Sequence, residues 1–149
     1  MIVPVTKENE KSWAELCAAL WPDAEASAFL EKRASGNLPY EYLYLLEGVA
    51  VAFISLSLRH DYVEGTETSP VAYLEGIFVK PEHRNKGIGR KLIEFSKTWA
   101  LEKGCTELAS DCELGNAISE AFHKNIGFQE TKRIICFKMV LKTRESDHE

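Results

Sequence analysis

The segment HRNKGIGRKLIEF, residues 83–95, concentrates positive charge and glycine ahead of an apolar repeat that predicts a helix. A helix N-terminus carries unpaired backbone N–H groups and the positive end of the helix dipole, so it attracts anions. Glycine lets the backbone approach a ligand without an intervening Cβ. The segment therefore predicts an anion-binding loop. Its basic side chains Arg84, Lys86 and Arg90 add long-range attraction of modest energy, since we expect them to be exposed.

Three common phosphate-binding loops do not match this segment. A nucleotide-hydrolase loop requires GxxxxGK followed by Ser or Thr, and the chain has no such run. A Rossmann fingerprint requires a third glycine, but Leu92 occupies that position, and the motif should open the first strand–helix unit. A protein-kinase glycine loop belongs to a much longer chain. The anion is therefore bound by a different kind of loop.

Two carboxylates form the second group of candidates. Glu75 lies within a predicted strand over 71–79, and the adjacent Gly76 indicates a β-bulge. Asp111 follows a predicted strand over 106–110, at the carboxyl end where α/β proteins bind ligands. In a purely structural interpretation, Glu75 is a solvated side chain and Asp111 a turn or cap residue.

The elements that must position these residues follow from periodicity and turn signals. Helices come first, then a run of strands with a tight turn at Glu47-Gly48, then alternating strands and helices, which predicts a mixed α/β (α+β) domain. The predicted helices cover 8–20, 27–34, 90–103 and 116–125, the last capped by Asn116. The predicted strands cover 2–5, 40–46, 49–58, 71–79 and 106–110, with a final strand or hairpin over 128–141.

Composition limits the class of protein. The chain of 149 residues has 45% hydrophobic content, which fits one domain over 1–149 with a flexible charged tail at 142–149. A net charge of −5 argues against a protein that coats nucleic acid. The four cysteines form no CxxC pair, so we expect reduced, mostly buried thiols. Without a signal peptide or an apolar run of ~20 residues, we expect a cytoplasmic protein that contacts no membrane.

Two motifs carry a resemblance to a known family. VKPEHRNKGIGRKL, residues 79–92, resembles the acetyl-CoA signature of the GCN5-related N-acetyltransferases (GNAT), and NAISEAFHKNIGF, residues 116–128, resembles their second cofactor element. The similarity covers about residues 40–141. It implies the GNAT fold, a central, mostly antiparallel sheet that is splayed at a β-bulge and flanked by helices. It also implies acetyl-CoA as co-substrate and no metal.

The resemblance also implies contacts with acetyl-CoA. Backbone groups of Ile77, Phe78 and Val79 would pair with the pantetheine arm, and Asn116 would reach the arm from the opposite side. Many family members carry a tyrosine where this chain has His123, placed to protonate the leaving thiolate. His123 is therefore either that acid or a packing residue beside a water that does the work. The amides that would hold the pyrophosphate are those of Arg84, Asn85, Lys86, Gly87, Ile88, Gly89 and Arg90.

Further segments, namely LWPD, SLRHDYVEG, SPVAYLEGIFV, ELASD and GFQET, resemble the aminoglycoside 6′-N-acetyltransferases within this superfamily. This resemblance implies acetyl transfer to the 6′-amino group of kanamycin-, tobramycin- or amikacin-type antibiotics, and hence resistance. Carboxylates and flat aromatic rings suit such polycations. The implied acceptor site comprises Trp21, Tyr62, Glu75, Asp111 and Glu130, the last reaching it across a homodimer interface.

The implied mechanism is direct transfer in a ternary complex. Glu75, directly or through a water, accepts a proton from the ammonium group, and Asp111 holds the amine. Two alternatives remain open at this point. The same fold could acetylate a polyamine, a protein N-terminus or a lysine, or the chain could be a non-catalytic acyl-CoA-binding module.

Overall fold

The computed structural model describes residues 1–142 and confirms the mixed α/β class. Five strands and four helices account for most of the described chain, and a 3₁₀ turn at Pro81–His83 precedes the glycine loop. Each predicted helix lies within two residues of its predicted start and end. The elements are β1 (Ile2–Pro4), α1 (Glu10–Leu20), α2 (Ala26–Ala34), β2 (Tyr40–Leu46), β3 (Val49–Arg59), β4 (Val71–Val79), α3 (Ile88–Glu102), β5 (Leu108–Ser110) and α4 (Ala117–Asn125).

The strands form a single sheet in the order β1-β2-β3-β4-β5. Neighbours from β1 to β4 are antiparallel, and the β2–β3 hairpin turns at Glu47 and Gly48, whose φ angles of 49° and 81° are left-handed. That confirms the predicted hairpin, since such turns favour glycine. β5 pairs with β4 in parallel over only three positions, from Ala72↔Leu108 to Leu74↔Ser110. The sheet is therefore mostly antiparallel and opens beyond Leu74.

A β-bulge interrupts the pairing of β3 with β4. Ser55 lies opposite Gly76, whereas the next residue, Leu56, lies opposite Leu74. Glu75 is the extra residue on β4, so the bulge predicted from Gly76 is confirmed. A bulge re-aims the side chain at which it occurs, and here that side chain is a carboxylate.

Helices cover both faces of the sheet. On one face, α1 and α2 bury Trp13 and Phe29 against Leu43 and Phe53. On the other face, α3 buries an apolar stripe that includes Leu92. Because side chains alternate along a strand, neighbouring β-residues supply opposite cores. This packing fixes β3 and β4 between two buried layers.

The thiols divide into two pairs. Cys17 and Cys105 are buried, whereas Cys112 and Cys136 are exposed, and all four are free. The prediction of mostly buried thiols is therefore wrong for the second pair. Cys112 lies in the connection between β5 and α4, and Cys136 lies in the segment 128–142, which has no helix or strand in the described chain.

The segment 128–142 has no strand in the described chain, so the prediction of a final strand or hairpin there is wrong for this single chain. Apart from Phe128, which is half-buried against the core, its large apolar side chains are exposed, with Phe137 at 91% and Met139 at 81%. A strand requires a neighbour for its backbone hydrogen bonds, and β-forming residue types alone do not supply one. The predicted tail lies outside the described residues, apart from residue 142. Among residues 1–142, no helix is sufficiently long and apolar to cross a membrane.

Candidate active site

The antiparallel pairing of β3 with β4 places polar side chains around Glu75. The Ser57 hydroxyl donates to Oε2 of Glu75 at 2.5 Å. Nη2 of Arg59 lies 2.9 Å from both Oε1 and Oε2 of the same carboxylate. The Arg59 and Glu75 side chains remain 42% and 33% exposed, so the pair lies at the edge of the core within reach of a ligand.

Tyr73 joins Glu75 to the second predicted carboxylate. The guanidinium carbon of Arg59 lies 3.4 Å from the centre of the Tyr73 ring, and the Tyr73 hydroxyl donates to the carboxylate of Asp111. Burial, reinforced by the nearby Asp111 charge, raises the pKa of Tyr73, so the phenol stays protonated. Arg59, Tyr73, Glu75 and Asp111 thus form one contiguous cluster, which we call the acceptor cluster.

Sequence reasoning missed Arg59 and Tyr73. Tyr73 and Glu75 are two residues apart in a strand, a spacing that would have suggested a shared face. Arg59 joins them only through the β3–β4 register. The sequence does not show that register, because the two strands are joined by the long polar connection of residues 60–70 rather than by a tight turn. The signal was therefore present for Tyr73 and absent for Arg59.

Trp21 packs directly beside the bulge. Its ring stacks on Phe29 with centroids 5.7 Å apart and meets Phe53 at 5.8 Å. A Cβ placed on Gly76 would lie 2.5 Å from the Trp21 ring carbons Cη2 and Cζ2. Glycine is therefore required beside Glu75 because the indole fills the space that a side chain would need.

Two other predicted acceptor residues lie apart from the acceptor cluster. Tyr62 is 75% exposed in the connection between β3 and β4. Glu130 is exposed and accepts from Nε of Arg133 at 2.6 Å. Within residues 1–142, neither of them has a hydrogen bond or ion pair with Glu75 or Asp111. In the single chain, the predicted acceptor residues are thus only partly brought together.

The glycine loop leaves backbone donors at the start of α3. Gly87 caps the helix with a left-handed φ of 84°, a conformation that favours glycine. The first helical bond runs from the Lys91 amide to the Gly87 carbonyl at 3.1 Å. The amides of Ile88, Gly89 and Arg90 precede this bond and have no acceptor within the described helix. The loop thus fits a phosphate group, the role that sequence analysis assigned to it.

Gly89 has a different reason to be glycine. A Cβ at this position would lie 3.1 Å from Cε1 of Phe122 on α4, so the missing side chain allows the two helices to approach. Asn85, earlier in the loop, adopts a left-handed φ of 62°. The basic side chains of Arg84, Lys86 and Arg90 are exposed, as predicted from the sequence.

The edge of β4 next to the glycine loop is open. β5 ends opposite Leu74, so in the described chain Ile77, Phe78 and Val79 have no strand beside them on that side. Nε of Arg84 donates to the Val79 carbonyl at 2.8 Å, which ties the loop to the end of this strand. An open strand edge offers N–H and C=O groups at regular spacing, and an amide-containing chain such as pantetheine can pair with them.

His123 links α4 to the point where β4 and β5 separate. Its Nδ1 lies 2.7 Å from the Ser119 carbonyl and its Nε2 lies 2.9 Å from the Ser110 hydroxyl. The carbonyl can only accept, so Nδ1 carries a proton and donates it to Ser119. Ser110 Oγ also lies 3.1 Å from the Leu74 carbonyl. Both ring nitrogens are thus engaged by the protein.

Asn116 begins α4 as predicted. Its side-chain oxygen accepts from the Ser119 amide at 3.1 Å, the geometry of an N-cap. The side chain that was expected to contact the pantetheine arm is thus also the helix cap. Its position depends on that bond.

Comparison with known proteins agrees with this geometry. The sequence profile described as the Acetyltransferase (GNAT) family matches residues 6–128. The chain belongs to this family. It is an acetyl-CoA-dependent acetyltransferase with the GNAT fold.

Among the curated relatives of this acetyltransferase are proteins named aminoglycoside N(6′)-acetyltransferase type 1. The one from Acinetobacter haemolyticus is 42% identical over 91% of this chain and 95% of its own length. The one from Acinetobacter baumannii is 41% identical over 92% of this chain and 96% of its own length.

Solved structures show the same similarity. Aminoglycoside N-acetyltransferase AAC(6′)-Iy in complex with CoA has a TM-score of 0.88 and 37% identity, covering 93% of each chain. AAC(6′)-Iy in complex with the bisubstrate analogue CoA-S-monomethyl-acetylneamine also has a TM-score of 0.88, with 36% identity over 95% of this chain and 98% of that one.

Proposed function

We propose that this acetyltransferase transfers the acetyl group of acetyl-CoA to the 6′-amino group of aminoglycosides of the kanamycin, tobramycin and amikacin type, and so confers resistance to them. The observation that carries the proposal is the adjacency of two features on β4. The bulge presents Glu75 to the acceptor, and the open edge from Ile77 to Val79 begins two residues later. The names of the relatives and the CoA–aminoglycoside analogue bound to AAC(6′)-Iy support the same substrate class.

The acceptor cluster supplies the chemistry that an amine requires. Amines of this kind reach the enzyme protonated, and only the neutral form attacks a carbonyl carbon. Glu75, directly or through one water, accepts that proton. Asp111 holds the amine in place by charge, while Tyr73 fixes the orientation of the Asp111 carboxylate. Trp21 and Tyr62 offer flat faces to the sugar rings in this arrangement.

The glycine loop and β4 hold the donor. Acetyl-CoA, when bound, supplies the thioester whose carbonyl carbon the amine attacks. The amides from Arg84 to Arg90 bind the pyrophosphate, and the main chain of Ile77, Phe78 and Val79 aligns the pantetheine arm, with Asn116 opposite. A backbone N–H near Ile77 donates to the carbonyl oxygen as negative charge develops there.

The leaving thiolate takes its proton from water in this proposal, with His123 as a positioning residue. The neutral imidazole uses its N–H for the Ser119 carbonyl, so it has none for a thiolate. Its contact with Ser110 instead holds α4 against the end of β5.

Acetyl transfer is direct, without an acyl-cysteine. Burial raises the pKa of Cys17 and that of Cys105, so neither is a thiolate near neutral pH. Cys112 and Cys136 are exposed, and no hydrogen bond to a base activates either within the described residues.

We further propose that the enzyme is a cytoplasmic homodimer whose C-terminal segment, residues 128–142, packs on a second copy. The segment exposes several large apolar side chains, including Ile135, Phe137 and Met139. They support an interface, since monomeric proteins rarely expose a large apolar patch to solvent. Glu130 lies in this segment, and in this proposal it joins the acceptor site of the second copy. Free cysteines suit a reducing compartment.

A thiol-release assay with acetyl-CoA tests the proposed activity across kanamycin, tobramycin, amikacin, spermine, a peptide N-terminus and a lysine peptide. We expect turnover with the aminoglycosides, and mass spectrometry should locate the acetyl group on the 6′-nitrogen. Turnover with spermine alone would show that the substrates are polyamines rather than aminoglycosides. CoA binding without turnover on any amine would indicate a binding module.

A further inference from the structure

Arg59 covers the two features of the acceptor cluster that would recognise an amine. Its guanidinium contacts both oxygens of the Glu75 carboxylate at 2.9 Å and lies 3.4 Å over the Tyr73 ring. A carboxylate and an aromatic face are the groups that bind an ammonium ion. The chain's own cation therefore occupies the place of the substrate's cation.

We propose that Arg59 is a resident competitor of the acceptor: the substrate ammonium must displace it from Glu75 in order to bind there. This inference rests on the proposed function, because it assigns the amine to Glu75. Arg59 in this role sets the amine concentration that is needed to occupy the site. Glu75 cannot give its charge fully to an incoming amine while the guanidinium holds both of its oxygens.

Displacement is energetically accessible because the pair is partly solvated. The Arg59 and Glu75 side chains are 42% and 33% exposed, and exposed ion pairs contribute little to stability. The contact with Tyr73 adds a cation–π attraction of similar weakness. The guanidinium can therefore move into solvent without disturbing the buried Tyr73 ring beneath it.

The cost of displacing Arg59 is the same for every amine that binds Glu75. A ligand with several ammonium groups can also engage Asp111, which Arg59 does not contact in the described chain. A polycation therefore binds more tightly than a monoamine whether or not Arg59 is present, and removal of Arg59 should tighten the binding of both by a similar factor.

The kinetic test compares wild type with Arg59→Gln and Arg59→Lys, using kanamycin and the monoamine 6-amino-6-deoxyglucose as acceptors. We expect Arg59→Gln to lower the KM of both acceptors by a similar factor, roughly five- to tenfold, from the two weak contacts removed. The KM for acetyl-CoA should not change. Arg59→Lys retains the competing charge and should keep both acceptor KM values near those of wild type.

Two results would overturn the inference. A lower kcat in Arg59→Gln without a lower monoamine KM would show that Arg59 orients Glu75 rather than competes at it. Unchanged KM values for both acceptors would show that the amine does not have to displace Arg59. Thermal melting of both variants confirms that they are folded.

A readout independent of turnover uses the ¹⁵Nε–¹Hε NMR signal of Arg59, assigned through Arg59→Lys. Kanamycin should shift this signal toward the position of a solvated arginine, and 6-amino-6-deoxyglucose should cause the same shift at a higher concentration. An unmoved signal with kanamycin bound would contradict displacement. If wild type acetylates no aminoglycoside, the proposed function fails, and the same titration with spermine still decides whether a polycation displaces Arg59.

Discussion

The indole N–H of Trp13 donates a 3.1 Å hydrogen bond to the Glu41 carboxylate, inside the layer between α1 and the sheet. The Ser55 hydroxyl donates to the second carboxylate oxygen at 2.6 Å, and Glu41 is 4% exposed. Burial raises the pKa of Glu41 to about 8 and outweighs the two hydrogen bonds, which lower it. Near neutral pH the core thus holds a mostly protonated carboxyl group.

This relationship predicts a stability that falls as pH rises. The unfolded chain releases the Glu41 proton near the ordinary value of 4.5, whereas the folded chain keeps it until about 8. Between those values the folded state binds more protons, so the free energy of unfolding decreases with pH. Glu41→Gln is neutral throughout and should be more stable than wild type at pH 8 by on the order of 3–5 kcal/mol, with little difference at pH 4.5.

Urea unfolding followed by tryptophan fluorescence at pH 4.5, 6 and 8 measures this difference. The exposed Glu31→Gln is the matched control and should track wild type at each pH. Parallel profiles for wild type and Glu41→Gln would show that the buried group does not titrate as stated.

Glu75→Gln should lower kcat/KM for an aminoglycoside by about 10²–10⁴, the usual contribution of a general base. The amide keeps a hydrogen bond to Ser57 but cannot take the amine's proton. Glu113→Gln, at an exposed carboxylate near Asp111, is the control and should retain wild-type rates. A kcat/KM in Glu75→Gln equal to that of wild type would remove Glu75 from the role of base.

Gly76→Ala should destabilise the fold by about 1–3 kcal/mol, because its Cβ would meet the Trp21 ring at 2.5 Å. The ring cannot easily yield, since it is stacked on Phe29 and packed on Phe53. Urea unfolding of a double-mutant cycle with Trp21→Leu isolates this contact. We expect Gly76→Ala to cost less in the Trp21→Leu background. If the two changes in the free energy of unfolding are simply additive, the strain does not arise from the contact with Trp21.

Phe137→Asp should convert a dimer into a monomer at low micromolar concentration, because a charge would replace an exposed apolar side chain of the C-terminal segment. Light scattering after size exclusion should give about twice the 16.8 kDa chain mass for wild type. Leu101→Asp, on an exposed α3 position outside the segment, is the control and should remain dimeric. A monomeric wild type would refute the proposed interface.

Local patterns predicted the elements whose structure depends on near neighbours in sequence. The apolar periodicity of α3, the Glu47-Gly48 turn and the Asn116 cap needed only a few adjacent residues. The bulge was also predicted, since Gly76 in a strand is a local signal. The family motifs predicted the fold because they span the donor loop and α4 together.

Long-range register accounts for what the sequence did not show. The contact of Arg59 with Glu75 depends on how β3 meets β4 across residues 60–70. Buried Glu41 depends on its facing Trp13, 28 residues away. The segment 128–142 has strand-forming residues, but whether it becomes a strand depends on a neighbour that the sequence of one chain does not specify.

The open edge of β4 has a consequence for how such an enzyme changes over time. In the proposed function, Ile77, Phe78 and Val79 bind the donor through their main chain, which every amino acid except proline retains with its N–H intact. The acceptor is held by side chains such as Glu75 and Asp111, which a single codon can alter. Point mutation can therefore redirect the enzyme to another amine while its acetyl donor stays the same.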